Sequence, residues 1–151
     1  MVTYQVELLS DVIEEMVPLL EAHYKEVHAF PDKIPFNPDY DSYFKLEEMG
    51  IYHTVTVRED GELIGYCCAL VSRNLHYQDH LYAVNDVIYV DKEYRHSNVA
   101  EELIAFVEEC YKELGASVMT FHMKCSIPFE SLCKSRGMEK KEYLYMKFIG
   151  D

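Results

Sequence analysis

Up to Val90 the apolar residues run in a strand-like way, and from Asn98 they fall three or four apart; this change of period constrains the fold more than any other feature of the chain. Residues 82 to 90 predict a strand, and residues 91 to 97 make a short charged connection. Val99, Leu103, Phe106, Val107, Cys110 and Leu114 then share one helical face, and Gly115 closes the helix. A strand that feeds a one-sided helix through a short turn has to lay that helix back on a sheet, so an α/β fold is expected.

The remaining elements fit that architecture. Thr3 to Leu9 alternates weakly and predicts a strand, and Ser10 with Asp11 behind it supplies an N-cap for a helix carrying Val12, Met16, Leu19, Leu20, Tyr24 and Val27. Pro18 lacks an amide hydrogen and crowds the preceding turn, which predicts a kink or two short helices. Residues 28 to 41 contain Pro31, Pro35 and Pro38 and read as a loop, followed by a short helix from Asp41 to Met49 that ends at Gly50. Ile51 to Arg58 and Leu63 to Ser72 flank a Glu-Asp-Gly-Glu turn and predict a hairpin. Beyond the long helix come a strand over Ser117 to Met123, a short helical pattern over Pro128 to Ser135 and a last strand over Tyr143 to Ile149. The expected product is a sheet of mixed direction within one domain spanning residues 1–151.

Charge narrows the partners. The net charge is −13, and residues 1–50 hold 11 acids against 3 bases. Such a surface disfavours nucleic-acid backbones and anionic membranes and favours a cationic partner, although the same charge also serves solubility. No apolar run approaches the ~20 residues that cross a bilayer, and the first residues lack a basic segment followed by an apolar stretch, so a cytoplasmic location is expected. The cysteines at 67, 68, 110, 125 and 133 form no C-x-x-C pair, which suits free thiols rather than disulfides or a metal framework. His76 and His80 stand four apart but fall in a connection rather than a helix, so no metal site is expected.

The segment from Asn85 to Ile104 carries the functional reading. A helix entered from a tight loop points unpaired backbone N–H groups and the positive end of its dipole at that loop, which suits a pyrophosphate. Ser97 or Asn98 acting as a simple cap explains the same junction. The run Arg95-His96-Ser97-Asn98-Val99-Ala100 resembles the R/Q-x-x-G-x-G/A motif of the GNAT superfamily of acyl-CoA N-acyltransferases, with Asn98 at the first glycine. Val90-Asp91-Lys92-Glu93-Tyr94-Arg95 is similar to the V-x-P-E-Y-R run common in that superfamily, with Lys92 in place of proline. The pattern also looks like the compact single-domain acetyltransferases of phage and bacterial genomes.

The resemblance implies a mostly antiparallel central sheet flanked by helices, with a splayed strand pair at the cofactor site. It implies that acetyl-CoA is the co-substrate, with backbone amides of His96, Ser97, Asn98, Val99 and Ala100 on the pyrophosphate. Ile88 and Val90 would pair with the pantetheine arm, and Arg95 would lie close to the phosphates. Lys134, Arg136, Lys140 and Lys141 would offset the global negative field near the cofactor. Dimers are common among relatives, so the resemblance admits a homodimer without requiring one.

At the acceptor side Asp86 is the candidate base, by alternation on the strand face of Ile88 and Val90 and because some relatives carry an ionisable base there. A hydrogen-bonded structural carboxylate is the competing reading, and His53, His76, His80 and His122 are rival bases. The family's proton-donating tyrosine corresponds to Cys133, whose thiol is the candidate acid. Tyr24, Phe30, Phe36, Tyr40, Tyr43, Tyr77 and Tyr82, interleaved with Asp32, Asp39, Asp41 and Asp79, suit a cationic amine acceptor, such as a polyamine-like or aminoglycoside-like molecule or a protein lysine or N-terminus. The departures from the motif also admit a non-catalytic relative, either a CoA-binding sensor or an acidic protein-binding module.

Overall fold

In the computed structural model, which describes residues 1–151, five strands form one sheet in the order β1-β2-β3-β4-β5. The strands β1 (Val2–Val6), β2 (Tyr52–Glu59), β3 (Glu62–Arg73) and β4 (Leu81–Val90) are antiparallel neighbours, and β5 (Ala116–Thr120) joins β4 in parallel. The helices are α1 (Leu9–Val27), α2 (Tyr40–Glu48), α3 (Val99–Glu113) and α4 (Glu130–Ser135), and a 3-10 turn at Lys92–Tyr94 follows β4. The expected mixed, mostly antiparallel sheet is present.

Both sheet faces are covered. Val99, Leu103, Val107 and Tyr111 of α3 pack on Val55, Val57, Cys67 and Val90. Leu9, Val12, Met16 and Leu20 of α1 pack on Tyr52, Tyr66, Cys68 and Tyr89 of the opposite face. Leu103 and Ile104 are fully buried, each stabilising the fold by about 1.5–3 kcal/mol. Gly65 lets β3 lie tight against β4: a Cβ there would sit 2.7 Å from the Tyr89 carbonyl oxygen.

Three expectations change. First, β1 ends at Val6, Leu8 takes the N-cap position of α1, and no side chain of its own caps the helix. A carboxylate from α2 does so instead: Glu47 accepts from the amides of Leu9 and Ser10 and from the Ser10 hydroxyl. Second, α1 runs unbroken through Pro18. Losing one backbone bond at the proline is outweighed by the burial of Met16 and Leu20 on either side of it. Third, no strand forms over residues 143–149, where Tyr143, Leu144 and Tyr145 are exposed. Apolar residues there occupy consecutive positions, so neither face is defined for pairing. Phe148 lies near Phe30 instead, with centroids 6.0 Å apart, and Lys33 Nζ stands 4.8 Å from its ring.

Candidate active site

The β3–β4 ladder skips a residue. Cys68 pairs with Val87 and Ala69 with Asn85, which leaves Asp86 as the extra residue of a β-bulge. Asn85 supports the bulge from inside the core: it is buried, and its Nδ2 donates to the carbonyls of Cys68 at 3.3 Å and Val87 at 3.2 Å. The bulge interrupts alternation, so Asp86 and Val87 both face α1 and α2 while Ile88 and Val90 face α3. The expectation that Asp86 shares a face with Ile88 and Val90 is therefore corrected, because strict alternation has no place for the inserted residue.

Asp86 lines an aromatic-walled groove of about 550 Å³ between α1, α2 and the loop joining them. The Tyr52 hydroxyl donates to Asp86 Oδ2 at 2.7 Å. Tyr43 meets Tyr52 edge-on with centroids 5.0 Å apart, and Tyr24 stacks on Phe36 at 4.1 Å. Burial pushes the Tyr43 phenol up to about 12, with the Asp86 charge adding to the effect. Burial followed by the same charge raises Tyr24. Tyr52 is driven further up by burial, then by Cys68 and Asp86. All three phenols therefore remain protonated near neutrality.

On the far side of β4 the strand pair opens. β5 is in register with β4 only from Leu81 to Val84, while β4 continues to Val90. Asp91 N–H donates to the Ile64 carbonyl of β3 at 2.8 Å. Because successive peptide groups point to opposite edges, the Val90 N–H and both groups of Ile88 turn toward the opening. The Val90 carbonyl accepts from Arg95 Nε at 2.8 Å.

The turn that follows is tightly organised. Asp91 accepts from the Glu93 amide at 3.0 Å, and Ser97 Oγ donates to the Tyr94 carbonyl at 2.5 Å and accepts from the Val99 amide at 3.3 Å. The amides of His96, Asn98 and Ala100 have no partner within the chain. Asn98 has φ −84° and ψ 8°, a region open to any L-residue, so asparagine replaces the motif glycine without backbone strain. Its Nδ2 donates to Glu102 at 2.6 Å.

The structure turns Arg95 toward α1. Its Nη2 lies 3.0 and 3.2 Å from the Glu26 carboxylate oxygens, and its guanidinium carbon lies 5.2 Å from the Tyr89 ring centroid. Lys92 Nζ is 3.5 Å from the same carboxylate. The basic residues late in the chain are mostly paired as well: Arg136 with Glu108 at 3.1 Å, Lys140 with Glu130 at 2.7 Å, and Lys141 with Glu139 at 2.5 Å. Lys134 forms no salt bridge. Cys133 is buried on α4, apart from the residues lining the Asp86 groove, and burial with the Glu130 charge raises its thiol.

Several site residues were not singled out from sequence. Tyr52, Asn85 and Glu26 matter only through strand register and helix packing. His23, on α1, has Nδ1 3.0 Å from the Tyr66 hydroxyl and its ring 5.1 Å from Tyr89. Burial pushes its pKa down to about 4, so it is neutral at pH 7. No cluster of three or more histidine, cysteine, aspartate or glutamate side chains is arranged to hold a metal.

A sheet in this order, with one parallel pair opening beside a helix start, matches the fold of solved N-acetyltransferases. The chain belongs to the Acetyltransferase (GNAT) family, whose profile matches residues 13–128. Its fold is similar to ribosomal-protein-alanine N-acetyltransferase from Brucella melitensis biovar Abortus 2308, with a TM-score of 0.75, 20% identity, and coverage of 100% of this chain and 99% of the other. It is also similar to the aminoglycoside acetyltransferase meta-AAC0020 from an uncultured soil metagenomic sample, in complex with sisomicin: TM-score 0.74, 14% identity, 99% and 97% coverage. Glucosamine-6-phosphate N-acetyltransferase from Arabidopsis thaliana has TM-score 0.73 at 12% identity, with 99% of each chain covered. No curated protein matches the chain in sequence. Acetyl transfer is the general chemistry of this family.

Proposed function

We propose that the 151 residues act as one domain that moves an acetyl group from acetyl-CoA to a cationic amine by direct transfer. The observation that carries the reading is the placement of β4: an acid-floored aromatic groove lies on one face, and the opening toward β5 and the free amides of the α3 start lie beyond it. The residues fit the co-substrate. The amides of His96, Asn98 and Ala100 would hold the pyrophosphate, and the β4 edge at Ile88 and Val90 would hold the pantetheine arm. Ser97 and Val99 shape that turn, and Arg95, through Glu26, fixes it against α1.

Acetyl-CoA, when bound, supplies the activated acetyl thioester. Asp86 accepts the proton that the ammonium must lose before its nitrogen can attack, directly or through water. The Val90 N–H is the donor available to a carbonyl oxygen that gains charge as the carbon–nitrogen bond forms and the carbon–sulfur bond breaks. The departing sulfur takes up a proton, with the Cys133 thiol as the candidate donor and solvent as the alternative, and solvent restores the proton that Cys133 gives up.

Titration calorimetry with acetyl-CoA tests the cofactor half. Micromolar binding that weakens at least tenfold in Arg95→Glu supports it, because the variant sets a carboxylate against Glu26 and frees the turn. Absence of binding by the parent overturns it. A CoA-binding sensor or acidic protein-binding module is the second reading, motivated by the capture of Arg95 by Glu26 and by Glu101 and Glu102 in the first turn of α3. Binding without amine-dependent turnover would select that reading.

A cytoplasmic location is proposed on composition, and no helix is long and apolar enough to cross a membrane. A homodimer is the proposed assembly. The exposed run from Tyr143 to Met146 supports it, and a monomer mass by light scattering would remove it.

A further inference from the structure

The groove above Asp86 has a charge pattern that restricts its occupant beyond the word "cationic". Where the groove adjoins a small cavity beside α1, which shares Tyr24, Phe36, Tyr43 and Asp86 with it, the cavity lining is almost wholly apolar and aromatic, with Asp86 as the one carboxylate. Toward the mouth the groove also includes Asp39, which keeps its charge while accepting from the Ser42 amide at 3.1 Å and the Ser42 hydroxyl at 2.5 Å; it is exposed, so water and salt screen its attraction for a ligand inside. His28, also at the mouth, uses Nδ1 to accept from the Phe30 amide at 3.1 Å. Asp32 and Asp41 are exposed, where water and salt screen their attraction for a ligand inside the groove.

One ammonium therefore finds a dedicated counter-charge. It would face Asp86, with the rings of Tyr43 and Tyr52 beside the carboxylate. A second or third ammonium would lie against Phe36, Leu46 and Leu70, with only the exposed, screened carboxylate of Asp39 to receive it. Beside Tyr24 and Phe36 the hydroxyls of a sugar body would meet apolar surface, their polar partners in the groove, Asp86 aside, being limited to His28, Asn37, Asp39 and Ser42, whereas a flat ring matches that stacked wall. A groove of about 550 Å³ holds a ring-sized body with room to spare.

We infer that the acceptor is a small amine with a single ammonium on an apolar, ring-sized body, an arylalkylamine in kind, rather than a polyamine or an aminoglycoside. The inference rests on the reading of the chain as an amine acetyltransferase, but ligand binding tests it separately from turnover.

The test is calorimetry of the full chain with phenethylamine, spermidine, tobramycin and a lysine-bearing peptide at 0.15 M salt, with and without CoA, for the parent, Asp86→Asn and Phe36→Ala. Phenethylamine should bind at least tenfold more tightly than each of the other three, and should lose at least tenfold in Asp86→Asn. Phe36→Ala, which leaves the carboxylate in place, should weaken phenethylamine several-fold while leaving spermidine within twofold. Thermal melts confirm that both variants are folded. Equal or tighter binding of any of the three competitors would overturn the inference, as would an unchanged phenethylamine affinity in Asp86→Asn. Phenethylamine bound through Asp86 but never acetylated would sink the transfer reading and leave the ligand class standing. Acetylation of spermidine in preference to phenethylamine would do the reverse.

Discussion

Asn85→Ala is the substitution that most directly probes how the site is built. Asn85 is buried and donates from one amide nitrogen to the carbonyls of Cys68 and Val87, on either side of the skipped position. Alanine removes both bonds and leaves two buried acceptors short of a donor. An unsatisfied buried polar group costs about 1–3 kcal/mol, and a small void adds to it, so a loss of about 2–4 kcal/mol is expected. For a domain of this length that corresponds to a fall in melting temperature of roughly 5–15 °C. Turnover with an amine, measured well below the melt, should fall at least tenfold, because the bulge aims Asp86 into the groove. Asn85→Asp keeps the shape but sets a carboxylate against two carbonyls, so it should be more damaging than alanine. Circular dichroism melts and steady-state thiol release read the two effects. An alanine variant that melts within 2 °C of the parent with full turnover would refute the proposed role.

Three further outcomes follow from the geometry. His23 titrates near 4 in the folded protein and near 6.5 when exposed, so acidification protonates the unfolded chain first. Stability should be fully present above pH 6.5 and fall by about 2 kcal/mol between pH 7 and pH 5, a slope that denaturant melts of His23→Phe should lack. Gly65→Ala should destabilise by about 1–3 kcal/mol, since its methyl would press on the Tyr89 carbonyl; a stability within error of the parent would show that the strands separate freely there. Tyr52→Phe removes the hydroxyl that holds Asp86 and should lower kcat about tenfold, with acetyl-CoA affinity within twofold of the parent in calorimetry.

Much of the fold was legible because it is written in local periodicity. The α3 face, the β2–β3 hairpin and the Gly50 and Gly115 helix ends all depend on residues close in sequence. Expectations weakened where a distant partner decides. Glu47 caps α1 from another helix, so the cap that Ser10 suggests in isolation is supplied by a carboxylate across the fold. Pro18 reads as a break in isolation but is overridden by packing on the sheet. Tyr143 to Ile149 has strand-forming residues, yet propensity without an alternating face did not produce pairing. At the site, the motif marks the start of α3, and strand position alone makes Asp86 a candidate. The face that Asp86 occupies required the bulge, and the engagement of Arg95 required Glu26. Neither leaves a spacing signal, apart from the polar pair Asn85-Asp86 inside an otherwise apolar strand.

The most direct test of the account is thiol release from acetyl-CoA by the parent protein and by Asp86→Asn, with and without an amine acceptor. The account predicts amine-dependent release by the parent, a drop in kcat of about 100-fold or more in the variant, and acetyl-CoA affinity unchanged within twofold. Full turnover by Asp86→Asn, or acetyl-CoA binding by the parent without amine-dependent release across the acceptor panel, would contradict it.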